Sequence, residues 1–192
     1  QADIFVSPNG INQTETTWRF DKNKGIKFLF FGSAYQPNID AINFILRYMP
    51  KEMFHLLEFA GESAKFIPDG NWQKLGFLSD ENLVELLADN RILLNPILTG
   101  SGSSMKVLKS AEIGTPIIST NLGMRGFPET CYLDFKDTLG FQKLLTEISL
   151  KKETTFEIMQ EKSNVMKDFV AKNLYWEKIV ADFKDTKIFS SR

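Results

Sequence analysis

A chain of 192 residues, 43% hydrophobic and carrying 17 phenylalanines, is long enough to bury a sizeable core as one large domain or two small ones. Its formal charge of −1 supplies no field for steering toward nucleic acid or an anionic membrane, so no nucleic-acid partner is expected. A single cysteine, Cys131, excludes an internal disulfide, and with a single histidine, His55, no zinc cluster can be assembled.

The first residues lack a charged region followed by an apolar one, so they do not read as a signal peptide. There is no initiator Met, which leaves open that the chain is a piece of a larger protein. Residues 7–25, rich in Ser, Pro, Asn, Gly and Thr, read as loop and linker. Residues 27–32 form a continuous apolar run, as in a strand covered on both faces, and the run from Ile26 is far too short to cross a bilayer. Pro37 and Asn38 open a helix that turns Ile42, Ile45 and Leu46 inward and ends near Met49. Residues 54–60 and 74–77 read as the next strands, and His55, inside the first of them, reads as structural. Ser79 is the expected N-cap of a helix through Leu87.

Residues 92–95 are a further strand, followed by a loop of small residues and a helix closed by Gly114-Thr-Pro116. Residues 115–119 and 130–134 supply two more short strands, and 137–149, 153–172 and 174–184 read as helices. Alternation of strand and helix over 26–134 predicts a parallel sheet with helices on both faces, an α/β Rossmann-like core followed by C-terminal helices over 135–192. Ligands of such sheets bind beyond the carboxyl ends of the strands, where Gly32, Gly61, Gly76 and Gly100 fall.

The loop Gly100-Ser-Gly-Ser-Ser104 can bring bare backbone N–H groups to an anion at the start of a helix. Lys106 and Lys109 follow, and a cation in the first helical turn opposes the helix dipole by roughly 0.3–1 kcal/mol, a penalty that a bound phosphate would reverse. Neither G-x-x-x-x-G-K-[ST] nor G-x-G-x-x-G is present, so neither an NTPase P-loop nor a dinucleotide fingerprint is read here, and a merely flexible loop fits the composition equally well.

The segment from Thr99 to Thr120 resembles the donor-site signature of the retaining "group 1" glycosyltransferases of GT-B fold, whose form in one branch is G-G-T-R-x-K-x-x-E-A-x-A-x-G-x-P-V-V-x-T. Other pieces follow in the family's order. Val6-Ser-Pro-Asn-Gly-Ile11 is similar to the segment that leads into the C-terminal domain, and Gly32-Ser-Ala-Tyr-Gln-Pro-Asn-Ile-Asp40 to the branch's G-S-x-x-x-x-P-N-x-D. Gly76-Phe77 and Tyr175-Trp-Glu-Lys178 match two further positions.

The resemblance implies the C-terminal, donor-binding half of a two-domain enzyme, here one domain over 1–192, with the acceptor-binding N-terminal domain absent from the chain. A nucleotide-sugar donor is the implied substrate and partner, the protein's own N-terminal domain another, and no cofactor or metal is implied, there being no Asp-x-Asp motif. The implied donor site comprises Gly32, Ser33, Gly76, Phe77, Gly100, Ser101, Gly102, Ser103, Ser104, Lys106 and Lys109: the diphosphate on the loops and Lys106, the base against Gly76 and Phe77. No catalytic residue is assigned within the chain. The implied function is sugar transfer to a glycan or lipid-linked acceptor in polysaccharide biosynthesis, by an enzyme of the cytoplasm for which association with the inner membrane face stays open. The fragment alone is expected to be inactive.

The chain departs from the family pattern where ribose-binding carboxylates are expected, with Ser101 and Lys109 in their places and Ser104 in place of an Arg. Lysine has three donors and no acceptor, so it cannot replace a carboxylate that receives two hydroxyls. Three readings stand: Lys109 binds phosphate or another donor group; Glu112, one turn on, takes part of the ribose contact; or donor binding is impaired. The last would make the protein a non-catalytic scaffold with a decayed site. A sugar-nucleotide epimerase of the same two-domain fold would need a cleft cluster of carboxylates and histidines that the sequence does not show. Arg125 reads as a donor contact or a surface charge, Cys131 as a buried small residue, and Trp176 as packing for the last helix.

Overall fold

The computed structural model describes residues 8–21, 23–102, 104–150 and 153–185. Six strands, β1 (Lys27–Phe31), β2 (Leu57–Ala60), β3 (Gln73–Gly76), β4 (Arg91–Asn95), β5 (Ile117–Ser119) and β6 (Leu133–Asp134), form one parallel sheet in the order β3-β2-β1-β4-β5-β6. Six α-helices accompany them: α1 (Gln36–Tyr48), α2 (Asp80–Ala88), α3 (Met105–Ile113), α4 (Thr138–Ser149), α5 (Glu153–Asn173) and α6 (Trp176–Asp185). This is the strand order of a doubly wound Rossmann-like sheet, as the alternation of patterns predicts.

The central strands are apolar throughout because helices cover both their faces. Phe28, Leu29 and Phe30 of β1 and Leu93 and Leu94 of β4 are fully buried. Helix α1 packs on α4, while α2 packs on α3, which α5 covers in turn. By the right-handed rule for crossovers between parallel strands, connections that leave β1 and β4 toward opposite edges of the sheet set these two groups on opposite faces. Ser79 caps α2 as expected, its hydroxyl accepting from Asn82 N–H at 3.2 Å. Asp137 does the same for α4 through Gly140 N–H, and Gly114, in the left-handed region at φ 82°, ends α3.

At the lower edge, Arg91 at the start of β4 grips the buried Glu58 of β2 through two bonds, Nε–H to Oε2 at 3.1 Å and Nη2–H to Oε1 at 3.3 Å. The described part of the leading segment runs along the core rather than away from it. Trp18 is buried, its indole N–H donating to Arg91 O at 3.0 Å, and Ile11 exchanges backbone hydrogen bonds with Leu174 and Trp176. Trp176 packs its ring on Gly10, where a Cβ would lie 2.5 Å from it, and Cys131 is buried, both as read from sequence.

Three sequence expectations change. Residues 51–56 form a 3-10 helix, so the second strand begins at Leu57 rather than Phe54, and His55 is exposed on that helix instead of sitting inside a strand. The third strand ends at Gly76, leaving Phe77 outside it. Residues Glu129–Cys131 form a short 3-10 turn, so only Leu133–Asp134 remains of the strand predicted from residue 130. Among the described residues, no helix is long and apolar enough to cross a membrane.

Candidate anion-binding site

The sheet reverses its winding direction between β1 and β4, and the loops that leave these two strands diverge there. A cavity of about 530 Å³ lies in that crevice, at the carboxyl ends of the strands. Small-ligand sites have volumes of roughly 300–1,000 Å³.

The β1 wall is backbone brought unusually close. Gly61, at φ 80°, lies so near β1 that a Cβ would sit 2.5 Å from Gly32 O, and its N–H donates to Gly76 O at 2.7 Å. Only glycine tolerates both that conformation and that approach. Gly32 in turn lies under the side chain of Asn38, whose amide nitrogen would be 2.7 Å from a Cβ there. Gly32, Ser33, Gly61 and Glu62 therefore line one side of the cavity.

The β4 wall is the glycine loop and the start of α3. Gly100 and Gly102 have φ values of 116° and 77°. Their carbonyls are held from across the cavity by Arg125, whose Nη1–H donates to Gly100 O at 3.0 Å and whose Nε–H donates to Gly102 O. The Ser104 side chain makes no capping bond to α3. The first N–H groups of that helix are therefore left for another acceptor, and Ser104, Met105 and Lys106 line the cavity where they begin. Below, the buried Asn95 donates to Gly123 O at 3.0 Å and to Ser119 Oγ at 3.2 Å, fixing the floor.

Lys106 is the central cation. It is half-buried, its Nζ donates to Asn38 Oδ1 at 2.5 Å, and it lies 4.2 Å from the centroid of the buried Phe30 ring. Burial pulls its ammonium down from the ordinary 10.5 to about 7. A site with this cation, uncapped helical N–H groups and a glycine loop can hold a polyanionic group and stabilise charge developing on it.

Of the residues expected at the site, Gly32, Ser33, Phe77, Gly100, Ser101, Ser104 and Lys106 are brought together around the cavity. Phe77 stands 84% exposed at its rim, where a planar ligand group could stack on it. Gly76, Gly102 and Lys109 do not line the cavity, and Ser103 lies outside the described residues. Lys109 acts instead on Glu81, where it adds to the hydrogen bonds from the Glu81 backbone and Ser79 that hold the carboxyl low, and on Glu112. Glu112 is buried and accepts from Thr14 N–H at 2.5 Å, and burial pushes its carboxyl up. It is turned to the leading segment and does not line the cavity.

Sequence reasoning missed Asn38, Glu62 and Asp80, all of which line the cavity. Asn38 had a signal, its place in the P-N-x-D motif, but the sequence reads it only as part of that motif and as opening α1. For Glu62 and Asp80 the sole hint is position, one residue past Gly61 and at the first turn of α2.

A family profile described as "Glycosyl transferases group 1" matches residues 25–137, more than half of the chain. No curated protein matches the sequence. Among solved structures, a sucrose-phosphate synthase from Thermosynechococcus elongatus is similar at 16% identity and a TM-score of 0.64, over 92% of this chain and 50% of that one. HepE from Anabaena, in complex with UDP and glucose, is similar at 10% identity and a TM-score of 0.59, over 88% of this chain and 49% of that one. A glycosyltransferase from Rickettsia africae gives 9% identity and 0.60, over 83% and 46%. At these identities the structures speak for the fold alone, and the chain spans about half the length of each. The profile match, the doubly wound sheet with its C-terminal helices and the ordered donor-site motifs agree: the chain belongs to the group 1 glycosyltransferases.

Proposed function

We propose that this chain is the nucleotide-sugar donor-binding domain of a glycosyltransferase that transfers a sugar to a glycan or lipid-linked acceptor. The observation that carries the reading is the start of α3. An uncapped helix N-terminus, a glycine loop and a desolvated lysine converge on one cavity at the switch point of the sheet. In this reading the diphosphate accepts hydrogen bonds from the N–H groups opening α3 and from Lys106, and the loop after β1 closes over it. The base lies against Phe77. As the sugar–phosphate bond breaks, negative charge grows on the leaving diphosphate, and donors already aimed at it lower the barrier.

The acceptor site and the remaining catalytic groups come from an N-terminal domain in the full-length protein, and the fragment alone is inactive. Structures of HepE in complex with UDP and with UDP-glucose support a nucleotide-sugar partner by analogy. A second reading, a scaffold with a decayed donor site, rests on Lys109 and Ser101 standing where the family has carboxylates.

A thermal-shift screen of UDP, GDP, TDP and their sugars separates the two. A ligand at 100 times its Kd stabilises the native state by about 2.7 kcal/mol, a shift of several degrees for a domain of this size. Stabilisation by one nucleotide series supports the donor domain. No shift with any of them, here and in the full-length protein, refutes it in favour of the scaffold.

A further inference from the structure

We propose that Asn38 is the positioning residue of this site: its amide ties the Lys106 ammonium to the Ser33 carbonyl and sets the loops after β1 and β4 as one unit. Asn38 is 8% exposed and stands in the first turn of α1. Its Nδ2 donates to Ser33 O at 3.0 Å and its Oδ1 accepts from Lys106 Nζ at 2.5 Å. Only that orientation of the amide serves both neighbours, since an ammonium has no acceptor and a carbonyl no donor. The same amide rests directly on Gly32, where a Cβ would lie 2.9 Å from Cγ and leave no room for it. One side chain thus touches the backbone of the first anion loop and, 68 residues on from Asn38 itself, the cation of the second.

The arrangement decides where the lysine goes. Without Asn38 the ammonium would face the Phe30 ring and the cavity, and burial would favour its neutral form further. With Asn38, the charged form keeps one acceptor, and an incoming anion meets an ammonium already held at the cavity wall. The charged groups that face the same space are Glu62 from the turn after β2, Asp80 from α2 and Arg125 from the loop after β5, the last already engaged with the glycine loop.

Two substitutions separate the two bonds. Asn38→Ala removes both, whereas Asn38→Asp keeps an acceptor for Lys106, adds a charge and removes the donor to Ser33. The first readout is the pH dependence of Lys106 acylation by a limiting amine reagent, quantified by mass spectrometry on the full chain. Asn38→Asp is expected to raise the Lys106 midpoint by about one pH unit or more, and Asn38→Ala to lower it. The second readout is calorimetric binding of inorganic pyrophosphate between pH 5.5 and 8.5. Asn38→Ala should lose about tenfold in affinity at pH 8 for each unit that the midpoint falls, and regain it toward pH 5.5, taken as a ratio to wild type so that the ligand's own titration cancels.

Midpoints unchanged in both variants, or an affinity loss that is flat with pH, would overturn the proposal in favour of a merely structural asparagine. The proposal rests on the donor-site reading only for the second readout. If pyrophosphate binds no variant and not the wild type, the donor-site reading fails, while the acylation midpoints still decide the role of Asn38.

Discussion

Lys106→Met tests whether the desolvated ammonium is a penalty on the fold. Methionine keeps the apolar stem over Phe30 and removes the charge. The fall of the ammonium from 10.5 to about 7 corresponds to about 5 kcal/mol, at about 1.4 kcal/mol per pH unit. The folded form binds its proton less tightly than the unfolded form, so the penalty is complete below pH 7, shrinks as pH rises and vanishes above 10.5. At pH 9.5 about 1–1.5 kcal/mol of it is left. Against the gain stands the stranded Asn38 Oδ1, which costs about 1–3 kcal/mol once its donor is gone. The variant should therefore be more stable than wild type by about 2–4 kcal/mol at pH 6.5, and equal or less stable at pH 9.5. Urea unfolding at the two pH values measures this directly. A Lys106→Met chain that unfolds at or below the wild-type urea midpoint at pH 6.5, or whose advantage does not shrink by pH 9.5, refutes the reasoning.

Two other substitutions address the frame around the site. Arg125→Ala releases the Gly100 and Gly102 carbonyls, and is expected to weaken UDP or pyrophosphate binding five- to thirtyfold, about 1–2 kcal/mol, with the melting temperature almost unchanged because Arg125 is half-exposed; calorimetry and a thermal melt check both halves. Arg91→Ala strands the Glu58 carboxylate, 3% exposed at its side chain, and should cost about 3–5 kcal/mol of stability in urea unfolding at pH 7, a loss that Glu58→Gln in the same chain should reduce.

The sheet was legible in the sequence because buried parallel strands are apolar without interruption, and β1, β4 and β5 stand out for that reason. The start of β2 was not. Met53, Phe54 and Leu56 are as apolar as a strand, but they turn one side of a 3-10 helix onto the core, and a short apolar run does not distinguish the two. At β3 the exposed edge carries Gln and Lys, so only the Gly-Phe motif marked it. The loop and helix of the anion site were legible as local chemistry: glycines, a helix start and a lysine lie within a few residues of each other. The partners of that lysine were not, since Asn38 and Arg125 reach it and its loop from other elements, and no local pattern encodes a pairing across the sheet. Lys109 falls outside the cavity lining for a related reason. Three residues beyond Lys106 it lies about 4.5 Å farther along the helix axis, enough to take it from the cavity wall to the neighbourhood of Glu81 and Glu112.

The electrostatic oddity of the sequence, a lysine opening a helix, is sharper in the structure. The cation faces the positive end of the α3 dipole and is desolvated as well, and its compensation within the protein is one amide oxygen and one aromatic face. Each of the two unfavourable effects disfavours the charge, and each reverses when an anion occupies the helix start: the dipole then acts on the anion, and low local dielectric strengthens the pair instead of isolating the cation. A structural lysine would gain from being moved to the surface, where its stem can still cover apolar area. One held here against both effects is best accounted for by a ligand that carries the opposite charge. Of the two lysines, only Lys106 lines the cavity, and this is the physical ground for proposing it, and not Lys109, as the partner of a diphosphate.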